Sequence, residues 1–464
     1  MAAYTDTIRR SHIRRRTNEL KEAVDIPDHT KPASEEEKAA IKKRFASLKF
    51  AGRYWNPYVE WREQGAWEWA FWKIIVSTLT LKLFYNGGVP LDRPIADLPL
   101  EPPDLQLLFG TPSGRTTSTS RAEKSQISGT GEDVDVTDKL TLTWLGQSTC
   151  FVTLDNLTIL TDPALSDKTL ESILAPHRLR PSPCELEELR RVDVVLVSHN
   201  HFDHLDPAAV TELGDSCEWI VPVGVGSFIR KLGVTRVTEL DWWQEAKHTL
   251  RREGKPDQTF TITSVPSMHW SARSPLDTNA TLWSAFHIKS DTAHPRSFIH
   301  LGDTGYSPTL FAAVGRVLGP VDLAAIPIGS YEPRWHMHLQ HTDPEGAVRM
   351  ALQMNAKKSV GVHWGTWLMS DEAYNKPPID LAIARKKLEM KAIPMKNLLP
   401  WVHTHVGTRP ATDDQGIIQD LFATISAGTH SIEQHRMHGM CIRSARHLKS
   451  TEVHPGRQKG GDVQ

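Results

Sequence analysis

The chain has 464 residues, of which 39% are hydrophobic, and it carries 22 histidines against four cysteines. This is enough apolar material for one large α/β domain with extensions. A formal net charge of -1 removes the sequence-wide basic field of a nucleic-acid binder, and the scattered Cys150, Cys184, Cys217 and Cys441, with no C-x-x-C pair, fit a reducing compartment without structural disulfides or cysteine metal ligands.

The N-terminus, MAAYTDTIRRSHIRRR, has arginines but no apolar core of a secretory signal. A mitochondrial presequence and a solvated basic arm both remain open for it. Residues 1–48 are charged and poor in large apolar side chains, which predicts a mobile basic arm with some helix around Glu35 to Leu48. Residues 49–110 form an aromatic segment in which Trp55, Trp61, Trp67, Trp69, Phe71 and Trp72 lead into IIVSTLTLKLFY. Glu68, Lys73 and Lys82 interrupt it, so the uncharged run stays below the roughly 18 residues of a spanning helix. Two readings stay open: a helix lying in a lipid interface, with indoles at headgroup depth, or a helix packed on the catalytic domain.

Residues 111–136 are rich in Ser, Thr and Gly and are predicted to be a disordered linker. A catalytic domain is expected over 137–408, followed by a polar, His-rich flexible tail over 409–464. Inside the domain the runs LTLTWL, DNLTILTDP, VDVVLVSH, EWIVPV, TFTITSV, TLWSAFHI, SFIHLGD, DLAAIPI and KSVGVHWG alternate with helix-length stretches. This pattern predicts a layered α/β fold with its site on loops at strand ends.

One such strand, Asp193 to Val197, runs into Ser198-His199-Asn200-His201-Phe202-Asp203-His204. The spacing H-x-H-x-D-H lets His199 and His201 hold one metal ion while Asp203 and His204, around the bend, turn to a second. Three histidines and an aspartate in six residues are hard to explain as packing, since each would need its own partner in a small volume. Two ions need more ligands, and other strand ends offer His269, Asp303 and His363. Asp303 lies in G-D-T-G, where glycines let the backbone turn closely and the carboxylate could bridge both ions. His341 precedes a helix that Asp343 could cap with Pro344 in first position.

These residues resemble the metallo-β-lactamase superfamily, and NPYVEW, TWLGQST, LTDPALS, SPCELEEL, SHNHFDHLD, ELDWW, PSMHW, GDTGY, DLAAIPIGSYEPRW, QHTDPEGAV and HWGTW resemble its N-acylphosphatidylethanolamine-hydrolysing phospholipase D family, in that family's order. The resemblance spans about Arg53 to Gly407, excluding the linker. It implies an αββα sandwich with two Zn2+ per chain: His199, His201 and His269 on one, Asp203, His204 and His363 on the other, and Asp303 with a water bridging them. It implies a phosphodiester hydrolase that releases an N-acylethanolamine and phosphatidic acid, with Asp303 and His341 in the catalytic centre. Gln340, Trp243 and Trp335 are substrate-binding candidates; for the two tryptophans packing is the default reading and lining an acyl-chain channel the alternative. The partner implied is a membrane phospholipid, met by peripheral contact inside the cell, at a mitochondrial or other organelle membrane. No nucleic acid is expected, and a homodimer is the assembly to test. Two departures stand out: Phe202 where the vertebrate enzymes carry tyrosine, and Gln147 where the family's W-L-G-H-A-T segment has histidine. A lactonase, a thioesterase or another phosphodiesterase on the same fold, and a noncatalytic metal-stabilised membrane adaptor, are the rival readings.

Overall fold

The computed structural model describes residues 32–62, 140–170 and 175–389 without a break, and short pieces at 7–8, 10–11, 64, 67–68, 71–76, 98, 102–105, 108, 398–399 and 404–406. In chain order a hairpin of β1 (Leu48–Phe50) and β2 (Arg53–Trp55) comes first. One sheet then takes β3 (Leu140–Gly146), β4 (Thr149–Leu154), β5 (Leu157–Thr161), β6 (Val194–Leu196), β7 (Glu218–Pro222) and β8 (Val237–Leu240). A second takes β9 (Glu245–Leu250), β10 (Gln258–Val265), β11 (Ala285–Ser290), β12 (Ser297–His300), β13 (Leu323–Pro327) and β14 (Lys358–Val362). The short β15 (Leu398–Leu399) pairs with β14, and β16 (Thr404–Val406) returns to β3, so each sheet has seven strands.

Successive side chains of a strand point to opposite faces, and this builds the layers. Ile159, Val194 and Ile220 of the first sheet share one buried cluster with Phe260, Phe286 and Phe298 of the second. Their strand neighbours Leu160, Val195 and Trp219 turn the other way and cluster with Ala209, Val210 and Ile229, from the helices Pro207–Leu213 and Gly226–Lys231. On the far side Ile299, Ala324 and Ile326 cluster with Leu310, Val348 and Leu381, from the helices Pro308–Leu318, Pro344–Gln353 and Lys376–Glu389. Helix, sheet, sheet and helix thus stack as the expected αββα sandwich. The edge strand β9 carries the exposed charges of Glu245 and Lys247, which discourage further strand pairing.

The expected mobile arm is too long. A helix covers Glu35–Arg44, opened by a reciprocal capping box between Ser34 and Glu37. Ala33, Ile41 and Phe45 are buried in the outer cluster of the second sheet, and Arg316 bonds Glu37 at 2.8 Å. Three apolar residues and a cap suffice to dock a segment whose average composition suggested disorder. In the aromatic segment Tyr54, Tyr58 and Trp61 join the same cluster, whereas Trp67, Phe71 and Ile75 face outward. The linker 111–136, the tail 409–464 and residues 77–85 lie outside the described residues. No helix among the described residues is long and apolar enough to cross a membrane.

Strand direction places the site. β5, β6 and β7 run parallel, as do β12, β13 and β14, and β10 joins the latter direction because both it and β12 are antiparallel to β11. The loops leaving these strands therefore gather at one edge of the sandwich.

Candidate metal centre

The loop leaving β6 carries His199, His201, Asp203 and His204, and the loops leaving β10, β12 and β14 carry His269, Asp303 and His363. Folding brings all seven together. His199, His201 and His269 form one group and Asp203, His204, Asp303 and His363 another, with the polar atoms of each group within 4.8 Å of one another. Asp303 reaches both: its Oδ2 lies 3.9 Å from His199 Nε2, 3.7 Å from His269 Nε2 and 3.1 Å from His204 Nε2, and its Oδ1 lies 3.1 Å from His363 Nε2.

This donor set fits divalent metal ions. His201 Nε2, His204 Nε2 and Asp303 Oδ1 are buried without a hydrogen-bond partner, although buried polar atoms are normally satisfied. In the four-residue group, Asp203 Oδ2 stands 3.3 Å from His204 Nε2 and 3.4 Å from His363 Nε2. Ligand atoms about 2.0 Å from one tetrahedral ion would be ~3.3 Å apart, so these spacings suit a shared ion better than mutual hydrogen bonds. Imidazole and carboxylate together are the ligand types of zinc hydrolases.

The charges agree. Burial drives His201 down to about 4 and His269 down to about 3, which leaves both neutral, as ligands must be. Burial also opposes charge on His204 and His363, but the Asp303 carboxylate and then Asp203 overcome it, holding His204 well above its ordinary value and His363 at about 9. Burial would raise the Asp303 carboxyl, yet His204 and His363 keep it well below the usual carboxylate range. In the metal-free protein the protons on His204 and His363 stand in for the positive charge of an ion.

A second layer fixes these side chains. Asp162, at the end of β5, accepts from Ser198 N–H at 2.6 Å, Ser198 Oγ at 2.7 Å, His204 Nδ1 at 2.8 Å and His300 Nε2 at 2.8 Å. The bond from Nδ1 leaves His204 Nε2 to face the cluster. His269 is fixed likewise, its Nδ1 lying 2.9 Å from the carbonyl of Gln340. Arg273 donates to the carbonyls of Asn200 and Leu205, both at 3.0 Å, and its guanidinium lies 4.3 Å from each of the Phe202 and Phe228 rings. It thereby braces both ends of the H-x-H-x-D-H loop, with Phe202 as one face of its aromatic sandwich. Gly302 serves a close approach: a Cβ there would come 2.3 Å from the Ser198 Cβ. Sequence reading missed Asp162, His300, Ser198 and Arg273. Asp162 and His300 do end buried strands, the same signal that located Asp303.

The remaining candidates divide. His341 is buried beside the cluster, its unpartnered Nδ1 3.8 Å from Asp303 Oδ2. Asp343 caps the following helix through Gly346 N–H, with Pro344 in the first turn. Gln340 acts through its carbonyl on His269, while its own carboxamide reaches only the Met337 sulfur at 3.5 Å. Trp335 is 43% exposed and stands 6.5 Å, edge to face, from Phe71. Trp243 lies in the core with its Nε1 donating to the Phe45 carbonyl, so it packs beneath the N-terminal helix. Trp270, unmarked in the sequence, stands edge-on 4.4 Å from the His201 ring and is only partly buried.

Comparison with known proteins agrees with this geometry. A family model described as "Beta-lactamase superfamily domain" matches residues 158–364, which include all seven clustered residues. The chain is 38% identical over 260 residues to N-acyl-phosphatidylethanolamine-hydrolyzing phospholipase D 1 of Caenorhabditis elegans, covering 54% of this chain and 71% of that one. It is 33% identical over 362 residues to the mitochondrial N-acyl-phosphatidylethanolamine-hydrolyzing phospholipase D of Saccharomyces cerevisiae, covering 75% and 73%. With the sandwich, the strand-end cluster and these relatives in agreement, the chain belongs to the metallo-β-lactamase superfamily, in the family of the N-acylphosphatidylethanolamine-hydrolysing phospholipases D.

Proposed function

We propose that the protein is a two-zinc phosphodiesterase that hydrolyses N-acylphosphatidylethanolamine in a membrane to an N-acylethanolamine and phosphatidic acid. The observation that carries this reading is the pair of facing groups with Asp303 between them, in which His201 Nε2, His204 Nε2 and Asp303 Oδ1 are buried without a hydrogen-bond partner. His199, His201 and His269 would hold one ion, and Asp203, His204 and His363 the second, with Asp303 common to both. Such a pair supplies an acidified water near pH 7 and neutralises charge that builds on the phosphoryl oxygens. The substrate class follows the names of the two relatives.

The protein's own groups prepare the reaction. Asp162 and the Gln340 carbonyl hold the Nδ1 atoms of His204 and His269, so that Nε2 of each faces the cluster. Burial lowers His341 to about 3 and keeps it neutral. It therefore acts on the substrate as a hydrogen-bonding imidazole that orients the phosphodiester and relays a proton toward the leaving alcohol, rather than as a standing imidazolium acid. Trp67, Phe71, Ile75 and Trp335 offer an exposed apolar and aromatic surface suited to the headgroup region of a bilayer. Phe71 and Trp335 are neighbours, and Trp335 lies on the segment Arg334–Met337 that leads to Gln340 and His341, which favours a peripheral membrane contact beside the site. A mitochondrial membrane is the proposed location, after the yeast relative and the arginines of the N-terminus.

The test is to incubate the zinc-loaded protein with vesicles containing N-acylphosphatidylethanolamine and to identify products by mass. N-acylethanolamine and phosphatidic acid should form and should vanish when zinc is chelated. Turnover of soluble lactones or thioesters with the vesicles untouched would replace this reading with a rival hydrolase.

A further inference from the structure

The turn between β3 and β4 carries a side chain that the reaction above does not use. Gln147 has φ +49, in the left-handed region that favours Gly or Asn. Three bonds hold its backbone: its N–H donates to Thr366 Oγ1 at 2.6 Å, and its carbonyl accepts from His363 N–H at 2.7 Å and Trp144 Nε1 at 2.8 Å. Held this way, the side chain points inward and is 1% exposed. Its Nε2 lies 2.7 Å from Asp203 Oδ2 and 2.9 Å from His363 Nε2. Both of those residues belong to the four-residue group of the cluster.

The turn itself gives no reason for this residue. Glycine would adopt the backbone with less strain, and a buried carboxamide is costly unless it is bonded. The bond it makes goes to a candidate ligand atom. A 2.7 Å contact has the length of a hydrogen bond to a charged oxygen, well under the ~3.3 Å separation of two ligands on one tetrahedral ion. Gln147 is therefore placed as a donor to a ligand and not as a ligand. The carboxylate oxygen keeps a lone pair for the ion.

We propose that Gln147 is a positioning residue of the second metal site: its Nε2–H bond to Oδ2 holds the Asp203 carboxylate toward the ion shared with His204, Asp303 and His363, and sets how firmly that ion is retained. The proposal rests on the two-metal reading. It gives the glutamine, which replaces the family's histidine, a definite task.

The test uses the full-length, zinc-loaded protein, with zinc per chain from elemental analysis, the rate of zinc release to a competing chelator, and the melting temperature of the stripped protein. Gln147→Met keeps length and removes the donor. It should release one of two ions about 10- to 100-fold faster, the range for losing a bond to a metal ligand, with little change in the melting of the stripped protein. Gln147→His, which can again donate to Asp203, should return release to within a few-fold of the parent. Should the methionine variant fail to fold, Gln147→Asn suits the left-handed turn while withdrawing the donor by one methylene, and it should show the same fast release. Parent-like release from the folded variants would overturn the proposal, as would a loss of metal that only tracks a lower melting temperature of the stripped protein. A parent that binds no zinc would sink the two-metal reading itself, whereas a two-zinc parent with unaltered variants sinks only the role of Gln147.

Discussion

Two buried carboxylates, Asp162 and Asp303, sit in the same edge of the sandwich and are used in opposite ways. Asp162 is fully buried, and four donors from Ser198, His204 and His300 satisfy it. Asp303 is 3% exposed, yet its Oδ1 has no hydrogen-bond partner while imidazoles crowd both oxygens. A satisfied buried charge stabilises and orients, whereas one with an oxygen left without a hydrogen bond among metal-ligand side chains is a site prepared for something else. Burial alone separates neither case from the other; the partner count does.

Replacing each carboxylate should therefore fail differently. Asp303→Asn should lower kcat at least about a thousandfold in protein that still folds, because it removes the group common to both proposed metal sites. Asp162→Asn should instead cost about 3–5 kcal/mol of stability in denaturant titration, as when one partner of a buried charge network is removed. Similar behaviour of the two variants would erase the distinction.

Acidity probes the same contrast. A zinc ion must displace the proton that Asp303 holds on His363 at about 9, and the one held on His204, so below that pH apparent zinc affinity should rise by at least about tenfold per unit in competition titrations. The sign reverses for the metal-free protein. The raised value of His363 contributes stability that is complete below the unfolded value of about 6.5 and is lost as pH rises through about 9. Thermal melts should then show the stripped protein weakening from pH 6.5 to 9 while zinc binding strengthens; parallel trends would contradict the assignment of His363. The smallest effect on chemistry is expected at the surface. Phe71→Asp with Trp335→Asp should weaken vesicle co-sedimentation several-fold and leave hydrolysis of a short-chain soluble diester within about twofold. Equal loss on both substrates would return these aromatics to a packing role.

The cluster was legible in the amino-acid sequence because metal ligation demands particular residue types at the ends of apolar strands. The dense H-x-H-x-D-H loop and the isolated His269, Asp303 and His363 all obey that rule, and they lie together. The strands themselves were readable where β-branched residues were many, as in β10, or the run was wholly apolar, as in β13, and less so in the charged edge strand β9, where Glu245 and Lys247 mask the pattern. Residues that act through another residue left fainter traces. Arg273 braces the loop through the carbonyls of Asn200 and Leu205, 73 and 68 positions earlier in the chain, a pairing that only the folded chain reveals. A tryptophan beside a motif, such as Trp243, carries no mark of whether its ring faces substrate or core. Composition likewise hid the docking of residues 32–48, because Ala33, Ile41 and Phe45 are too few to shift an average.

If the cluster around Asp303 holds two metal ions that turnover requires, elemental analysis of active protein, with turnover on N-acylphosphatidylethanolamine vesicles followed through chelation and zinc restoration, should find two zinc ions per chain, loss of turnover as they leave and recovery as they return. Active protein free of transition metal, or turnover indifferent to chelation, would contradict it.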